Sequence, residues 1–376
     1  MTKSLRIGYV PLTDAALLHV AKAQHFAAAR GVEIELVAES SWANIRDKLV
    51  AGHFDAAHML APAAIAVSLG IGQIEAPLLA PVALGLNGNA ITVSQALFAA
   101  LLQEAQRDLA DPRVTAKALA RIVARRREAG EAPLTFGHVF PFSSHHYQLR
   151  LWMRAGHLDP DGDVRLVVVP PPFMVWTLRK GQLDGFCVGE PWNSLAVAAG
   201  AGTILHQGPD IVRDCPEKVL AFRAEWVRTH IKEVHALTEA VGDASRWAAA
   251  PSNRNSLVTL LTSMAWQDVS PWTIERVLAN PASTSGPALA ATGLRLGEDA
   301  IKADPAQALW LYAQMAAAGQ TVYSDALAKA AAAVYAPALG PPISRPAPTP
   351  VAFDGPAFSP NDIPSYLMAL NAGRPS

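Results

Sequence analysis

Cysteine is scarce: Cys187 and Cys215 are the two in a chain of 376 residues. Two cysteines cannot build a disulfide framework, and both sit in apolar or mixed surroundings, so buried thiols are expected. Charge is sparse as well. Asp, Glu, Lys and Arg make up 17% of the residues and the formal net charge is -1. That speaks against a nucleic-acid-binding surface and against a disordered acidic tail. The local exception, Arg121–Glu128 (RIVARRRE), reads as the solvated basic face of a helix. No uncharged apolar run reaches about eighteen residues, so no membrane-spanning helix is predicted. A secretory leader is not recognisable either. Met1–Leu5 (MTKSL) passes straight into RIGYVPL, which reads as a strand, and a cytoplasmic protein is expected. No Gly-rich phosphate loop and no nucleophile spacing occur, and His58 and His138 lack metal-ligand spacing. Neither catalysis, nor a cofactor, nor a metal is therefore expected.

What the chain does have is apolar mass, 51% of its residues. A single core rarely grows beyond ~250–300 residues, so two lobes are predicted. Leu5–Val10 reads as a strand, Thr13 or Asp14 as an N-cap, and Ala15–Ala28 as a helix. Gly31–Ala38 alternates as a strand. Ser40 or Ser41 caps a helix over Trp42–Ala51, Phe54–Met59 is a short strand, and Pro62 opens the next helix. A second series follows: strand Leu134–Val139, helix His145–Gly156, strand Val164–Val169, helix Pro172–Lys180 with proline at its first turn, strand Gly185–Val188, and helix Glu190–Gly200. Two β-α-β-α-β series imply α/β lobes with mostly parallel sheets. Between them, Leu84–Val93 (LGLNGNAITV) reads either as an Asn-Gly hairpin or as a strand crossing between lobes with a kink at Gly88. Beyond Cys215 the chain reads as mostly helical to about Tyr335. The last forty residues hold ten prolines, which exclude a long helix or central strand. Val351–Phe358 and Ile363–Leu370 remain apolar enough to dock.

Four segments carry a resemblance to a known family: Gly8–Leu36, Ser40–Pro62, Leu84–Val93 and Pro141–Asn193, the last containing VVPPP and CVGEPWN. The chain resembles the NrtA/CmpA substrate-binding proteins of nitrate and bicarbonate ABC importers, and especially their leaderless, NasS-like cytoplasmic nitrate sensors. The match is good over roughly residues 5–235. The resemblance implies a type II periplasmic-binding-protein fold, two α/β lobes with the ligand between them. The corresponding lobes are residues 1–88 with 200–376, and residues 89–199.

The family's anion pocket falls on Trp42, Asn89, His145, Pro171, Gly189 and Lys218. Asn89 departs from the family's glutamine. Lysine at the last position implies nitrate or nitrite, whereas an acid there implies bicarbonate; Glu217 stands one residue away. The chemistry suits a planar anion that accepts but does not donate hydrogen bonds. Lys218 supplies an ammonium, His145 an N–H, Asn89 an amide, Gly189 an unobstructed backbone N–H, and Trp42 an indole N–H or an apolar wall. Taken singly, each has a plainer role. His145 and His146 can cap a helix, Asn89 can make a turn, and Glu190 reads as the cap of the helix it opens. The resemblance further implies a sensor that releases a NasT-like RNA-binding antitermination protein when nitrate or nitrite binds. The alternative is the nitrate or bicarbonate receptor of an importer.

Overall fold

The computed structural model describes residues 3–106, 109–264, 269–278 and 293–372. The chain opens with β1 (Lys3–Tyr9), α1 (Ala16–Ala23), β2 (Val32–Ala38), α2 (Trp42–Val50), β3 (Ala56–Leu60), α3 (Ala61–Ser68) and β4 (Leu78–Ala83). It continues with β5 (Asn89–Ser94), α4 (Gln95–Ala105), α5 (Pro112–Glu128), β6 (Thr135–His138), α6 (Ser144–Ala155), β7 (Arg165–Val168), α7 (Met174–Arg179), β8 (Gly185–Gly189), α8 (Trp192–Ala198) and β9 (Gly202–Gln207). Next come β10 (Val212–Arg213) and β11 (Lys218–Arg223), then several helices and β12 (Val351–Ala352).

Two units result. The first takes in the residues up to Leu86, Pro216–Glu275 and Leu294–Thr349; the second holds Asn87–Cys215 and the described residues from Pro350 on. The first sheet runs β2-β1-β3-β11-β4 and the second β7-β6-β8-β5-β9. In each, four strands run in one direction and one runs against them. β1 pairs parallel with β2 and β3, and β11 runs antiparallel between β3 and β4. β6 pairs parallel with β7 and β8, and β5 runs antiparallel between β8 and β9. The two units therefore share one topology.

The lobe boundaries differ from those expected. The chain returns to the first unit at Pro216, not at residue 200. Residues 202–207 stay behind because they form β9, which pairs with β5. The tail also divides: Val351 and Ala352 pair with β10 in the second unit. Helix Ile363–Ala372 follows, with Ile363 and Tyr366 buried and the Phe358 and Tyr366 rings in edge contact at 5.2 Å.

Leu84–Val93 is not a hairpin, since β4 and β5 belong to different sheets. Asn87 and Gly88 both adopt positive φ, +62° and +91°, which the Asn-Gly pair tolerates at little steric cost. Asn87 Oδ1 accepts a hydrogen bond from Cys215 N at 2.9 Å, and Asn87 N donates to Cys215 O at 3.0 Å. The kink is thus tied to the segment that precedes β11. Five strands escaped the sequence reading: the two-residue β10 and β12, and the longer β4, β9 and β11. β11 lies where helix was expected and is almost wholly buried.

Local chemistry explains the helix starts. Ser41 Oγ accepts from Asn44 N and caps α2, and Ser143 Oγ accepts from His146 N and caps α6. Pro112 occupies the first turn of α5, behind the cap Asp111. The basic run of α5 is solvated and spent on surface pairs: Arg121 and Arg125 reach Glu104, and Arg127 reaches Asp163. The first sheet is covered by α3, by helix Pro305–Ala317 against it, and by helix Ile231–Ala249 against α1.

Candidate functional site

In the first unit the sequence-predicted residues Trp42 and Lys218 come together. Trp42 begins α2, directly after β2, and Lys218 begins β11, opposite Leu60 at the end of β3. Both sit at the carboxyl ends of the parallel strands, where open α/β sheets place ligands. The Lys218 Nζ lies 5.5 Å from the Trp42 ring centroid, within cation–π range. Lys218 is 1% exposed, a burial that a lysine tolerates only when its charge is paired.

The partners are two carboxylates. Lys218 Nζ stands 2.8 Å from Asp14 Oδ2 and 2.9 Å from Glu217 Oε2. His58, on β3, places Nε2 at 3.0 Å from the other Asp14 oxygen, and its ring lies 5.3 Å from that of Trp42. Burial alone would push Asp14 up and Lys218 down. The Lys218 ammonium outweighs burial and holds the Asp14 carboxyl well below the usual range, while Asp14 and Glu217 hold Lys218 above its ordinary value. His58 goes the other way: burial pulls it below its ordinary value in spite of Asp14. It is therefore a neutral imidazole. Among the described residues, no acceptor lies within hydrogen-bond reach of Trp42 Nε1, although Trp42 is only 3% exposed.

Sequence reading missed Asp14 and His58. Asp14 was expected to cap a helix. Instead the cap position of its short 3-10 turn falls on Leu12, no side chain caps that turn, and the carboxylate turns to Lys218 and His58. The available signal was position. Asp14 follows the first strand of a β-α-β series, where ligand-facing polar groups cluster.

The second unit repeats the placement. Asn89 begins β5 and pairs in register with Gly189, the last residue of β8. His145 lies in the first turn of α6, after β6, and is fully buried. Pro171 starts the 3-10 turn that follows β7. All four stand at the corresponding edge of the second sheet. His145 is not the cap of α6, since Ser143 takes that role. The Asn89 side chain packs back against the start of helix Gly208–Ile211: a Cβ on Gly208 would fall 2.0 Å from Asn89 Oδ1. The shorter amide thus has a glycine opposite it.

The VGEPWN motif divides its labour. The cap position of α8 falls on Pro191 and not on Glu190, but Glu190 Oε2 accepts from the first-turn Ser194 N at 3.1 Å. Burial pushes its carboxyl up to about 7, partly offset by Ser194. Asn193 donates from Nδ2 to Val188 O at 2.8 Å and accepts from Thr92 Oγ1 at 2.8 Å, clipping α8 to β8 and β5. Gly189 is left as the residue without a side chain at the sheet edge.

A family model described as the NMT1-like family matches residues 1–262. The chain belongs to that family. Among its relatives is the nitrate import ATP-binding protein NrtC of Synechocystis sp., 39% identical over 243 residues, covering 63% of this chain and 34% of NrtC. The nitrate/nitrite binding protein NrtA of Nostoc sp. is 30% identical over 274 residues, 72% of this chain and 59% of that protein. The bicarbonate transport ATP-binding protein CmpC of Synechococcus elongatus is 34% identical over 261 residues, 69% of this chain and 37% of CmpC. The match thus spans between about a third and three fifths of the length of these curated relatives. The crystal structure of the periplasmic nitrate-binding protein NrtA from Synechocystis aligns with a TM-score of 0.85, at 24% identity, over 98% of both chains. This likeness carries the fold. The NMT1-like chain has the type II periplasmic-binding-protein architecture that its motifs implied.

Proposed function

We propose that this NMT1-like chain binds nitrate or nitrite and serves as a cytoplasmic sensor of them, without catalysing a reaction. One observation supports the ligand class above the others. A buried ammonium, Lys218, stands beside a buried indole N–H, on Trp42, that has no acceptor among the described residues. A small oxyanion supplies the missing acceptor. Charge-assisted hydrogen bonds contribute roughly 1.5–3 kcal/mol each, and a few suffice for micromolar affinity, about -8 kcal/mol. In the second unit, His145, Asn89, Gly189 and Pro171 are the residues proposed to bind the anion. The names of the relatives, nitrate/nitrite binding and nitrate import, agree with this ligand class.

The sensor role rests on the NasS-like resemblance. A ligand that prefers one conformation of a two-unit protein shifts its population, and a partner reads the change. The partner proposed is a NasT-like RNA-binding antitermination protein, released when nitrate or nitrite binds. The test is gel filtration of the mixture with and without nitrate. A complex that survives saturating nitrate would overturn the sensor role while leaving the ligand assignment standing.

The second reading, the receptor of an ABC importer for nitrate or bicarbonate, is favoured by the transporter names of NrtC and CmpC. Cell fractionation separates the two. A receptor is recovered outside the cytoplasmic membrane, a sensor in the cytosol.

A further inference from the structure

Among the described residues nine large hydrophobic side chains are exposed, and three of them, Val168, Phe173 and Trp176, fall within nine consecutive positions of the second unit. Scattered singly, such side chains need no account; a cluster marks a surface that something covers. The cluster is set by α7. Its inner face carries Met174 and Leu178, packed against glycines of the sheet. A Cβ on Gly137 of β6 would stand 3.1 Å from Met174 Sδ, and one on Gly202 of β9 would stand 2.8 Å from Leu178 Cδ2. The opposite face carries Phe173, Trp176 and Lys180, three and four residues apart and so in one line. Phe173 is 53% exposed and Trp176 56%. Lys180 Nζ lies 5.9 Å from the Trp176 ring centroid, and Arg179, its neighbour in sequence, is exposed as well.

The stripe is aromatic at one end and cationic at the other. The acids nearest in sequence are engaged elsewhere: Asp163 with Arg127, Asp161 with Arg150, and Asp184, whose Oδ2 accepts from Thr135 N at 2.8 Å. Among the described residues no carboxylate pairs with Arg179 or Lys180. Resting on the sensor reading above, we infer that this face of α7 docks an acidic segment of the partner protein, its apolar side chains on Phe173 and Trp176 and its carboxylates on Arg179 and Lys180. Aromatic residues and arginine are what protein interfaces concentrate, and an arginine presents a two-pronged fork to a carboxylate. A second copy of this chain fits less well. A two-fold contact brings the same face, Phe173–Lys180 (FMVWTLRK), which holds no acid and leaves the cations without counter-charge. An anionic bilayer fits less well too, since lipid-binding clusters gather about four to eight basic residues, and the stripe has only Arg179 and Lys180. Pro171, proposed to bind the anion, begins the 3-10 turn that Phe173 ends. Anion and partner thus bear on one short turn, a direct route from ligand binding to release.

The test is calorimetry of the full chain with the NasT-like protein, without nitrate, in low salt and in about 0.3 M NaCl. It compares the wild type with Trp176→Ser and with the double variant Arg179→Glu, Lys180→Glu. Titration with sodium nitrate and thermal melts accompany each, because changes on an exposed face should leave both as in the wild type. Each variant is expected to weaken the complex by at least about tenfold, and the wild-type complex should weaken as salt rises. Wild-type affinity for the partner in both variants would overturn this surface and leave the sensor reading standing. Loss in Trp176→Ser alone, with no response to salt or to charge reversal, would overturn the acidic partner. So would a wild-type chain that dimerises through Trp176 by itself, or that pellets with vesicles of phosphatidylglycerol and phosphatidylcholine, since the face would then belong to a second copy or to lipid. Absence of any complex would overturn the sensor reading, and this surface with it.

Discussion

Lys218 and Asp14 meet across 2.8 Å although they come from different segments of the first unit, one from the returning strand β11 and the other from the turn after β1. Both are buried, and breaking a buried pair from one side strands the other charge at a cost of roughly 3–5 kcal/mol. Lys218→Met is expected to destabilise by that order in urea unfolding. The double variant Lys218→Met with Asp14→Asn should recover part of that, because it removes one of the two carboxylates that faced the lysine, Glu217 being the other. A double variant no more stable than the single one would show that the pair is not coupled. The pH sign follows from Asp14. Its carboxyl is held low in the folded state, so the pair's contribution is complete above the ordinary value of 3.8 and is lost as acidification protonates it.

Trp42→Phe tests the vacant indole N–H. The substitution keeps a ring beside His58 and Lys218 and removes a buried donor that no acceptor satisfies. Leaving such a donor unpaired costs about 1–3 kcal/mol. Stability without ligand should therefore hold or rise, despite a small loss of packing. Nitrate affinity should fall about five- to tenfold, the equivalent of one neutral hydrogen bond of about 1 kcal/mol. Calorimetry alongside thermal melts checks both. A variant that binds nitrate as tightly as the wild type would remove the indole from the site and leave Trp42 a core residue.

Much of this was legible in the sequence, and the reasons differ by element. The parallel strands of the two series announced themselves, as did Ser41 before α2 and the prolines at the turn that begins at Pro171; Ser143, the cap of α6, was hidden behind the more conspicuous His145 and His146. The motif residues Asn89 and Gly189 proved to be register partners. The strands that escaped are short and carry no period-2 signal. β4 contains Pro81 and β11 is buried on both faces, so neither alternates. Lys218 was legible as a candidate because a motif surrounds it. Its partners Asp14 and His58 were not, since long-range ion pairs leave no local pattern. Asp14 also imitated an N-cap, the commoner role of an acid at a strand-to-helix turn. The lobe boundary shifted because β9 pairs antiparallel with β5, a tertiary choice invisible in GTILHQ.

Glu190 gives the second unit a different pH response. Burial raises its carboxyl from 4.5 to about 7. In the folded state it therefore keeps a proton that the unfolded chain has already released. Its contribution to stability is full below about pH 4.5 and is lost as pH rises through about 7, amounting to about 3 kcal/mol at 1.36 kcal/mol per unit. Glu190→Gln keeps an oxygen for Ser194 N and cannot ionise. It should match the wild type near pH 5 and exceed it at pH 8 in chemical unfolding. Equal stabilities at both values would mean that the folded Glu190 titrates as in the unfolded chain.

Gly208 faces the side chain of Asn89, the amide proposed for the pocket. A Cβ there would stand 2.0 Å from Asn89 Oδ1 and 2.9 Å from the Asn89 carbonyl oxygen, so Gly208→Ala must displace the Asn89 side chain and press on its backbone. Overpacking of this kind costs typically 1–3 kcal/mol. Two consequences separate packing from binding. Thermal stability should drop in Gly208→Ala, and shortening the facing side chain in Gly208→Ala with Asn89→Ser should restore part of it. Nitrate affinity should fall in both variants if the Asn89 amide donates to the ligand, because the first misplaces the amide and the second deletes it. Restored stability with wild-type affinity in the double variant would make Asn89 a structural partner of Gly208 and remove it from the pocket. β5 would then contribute its backbone beside Gly189, and the family's glutamine would have no functional counterpart at this position.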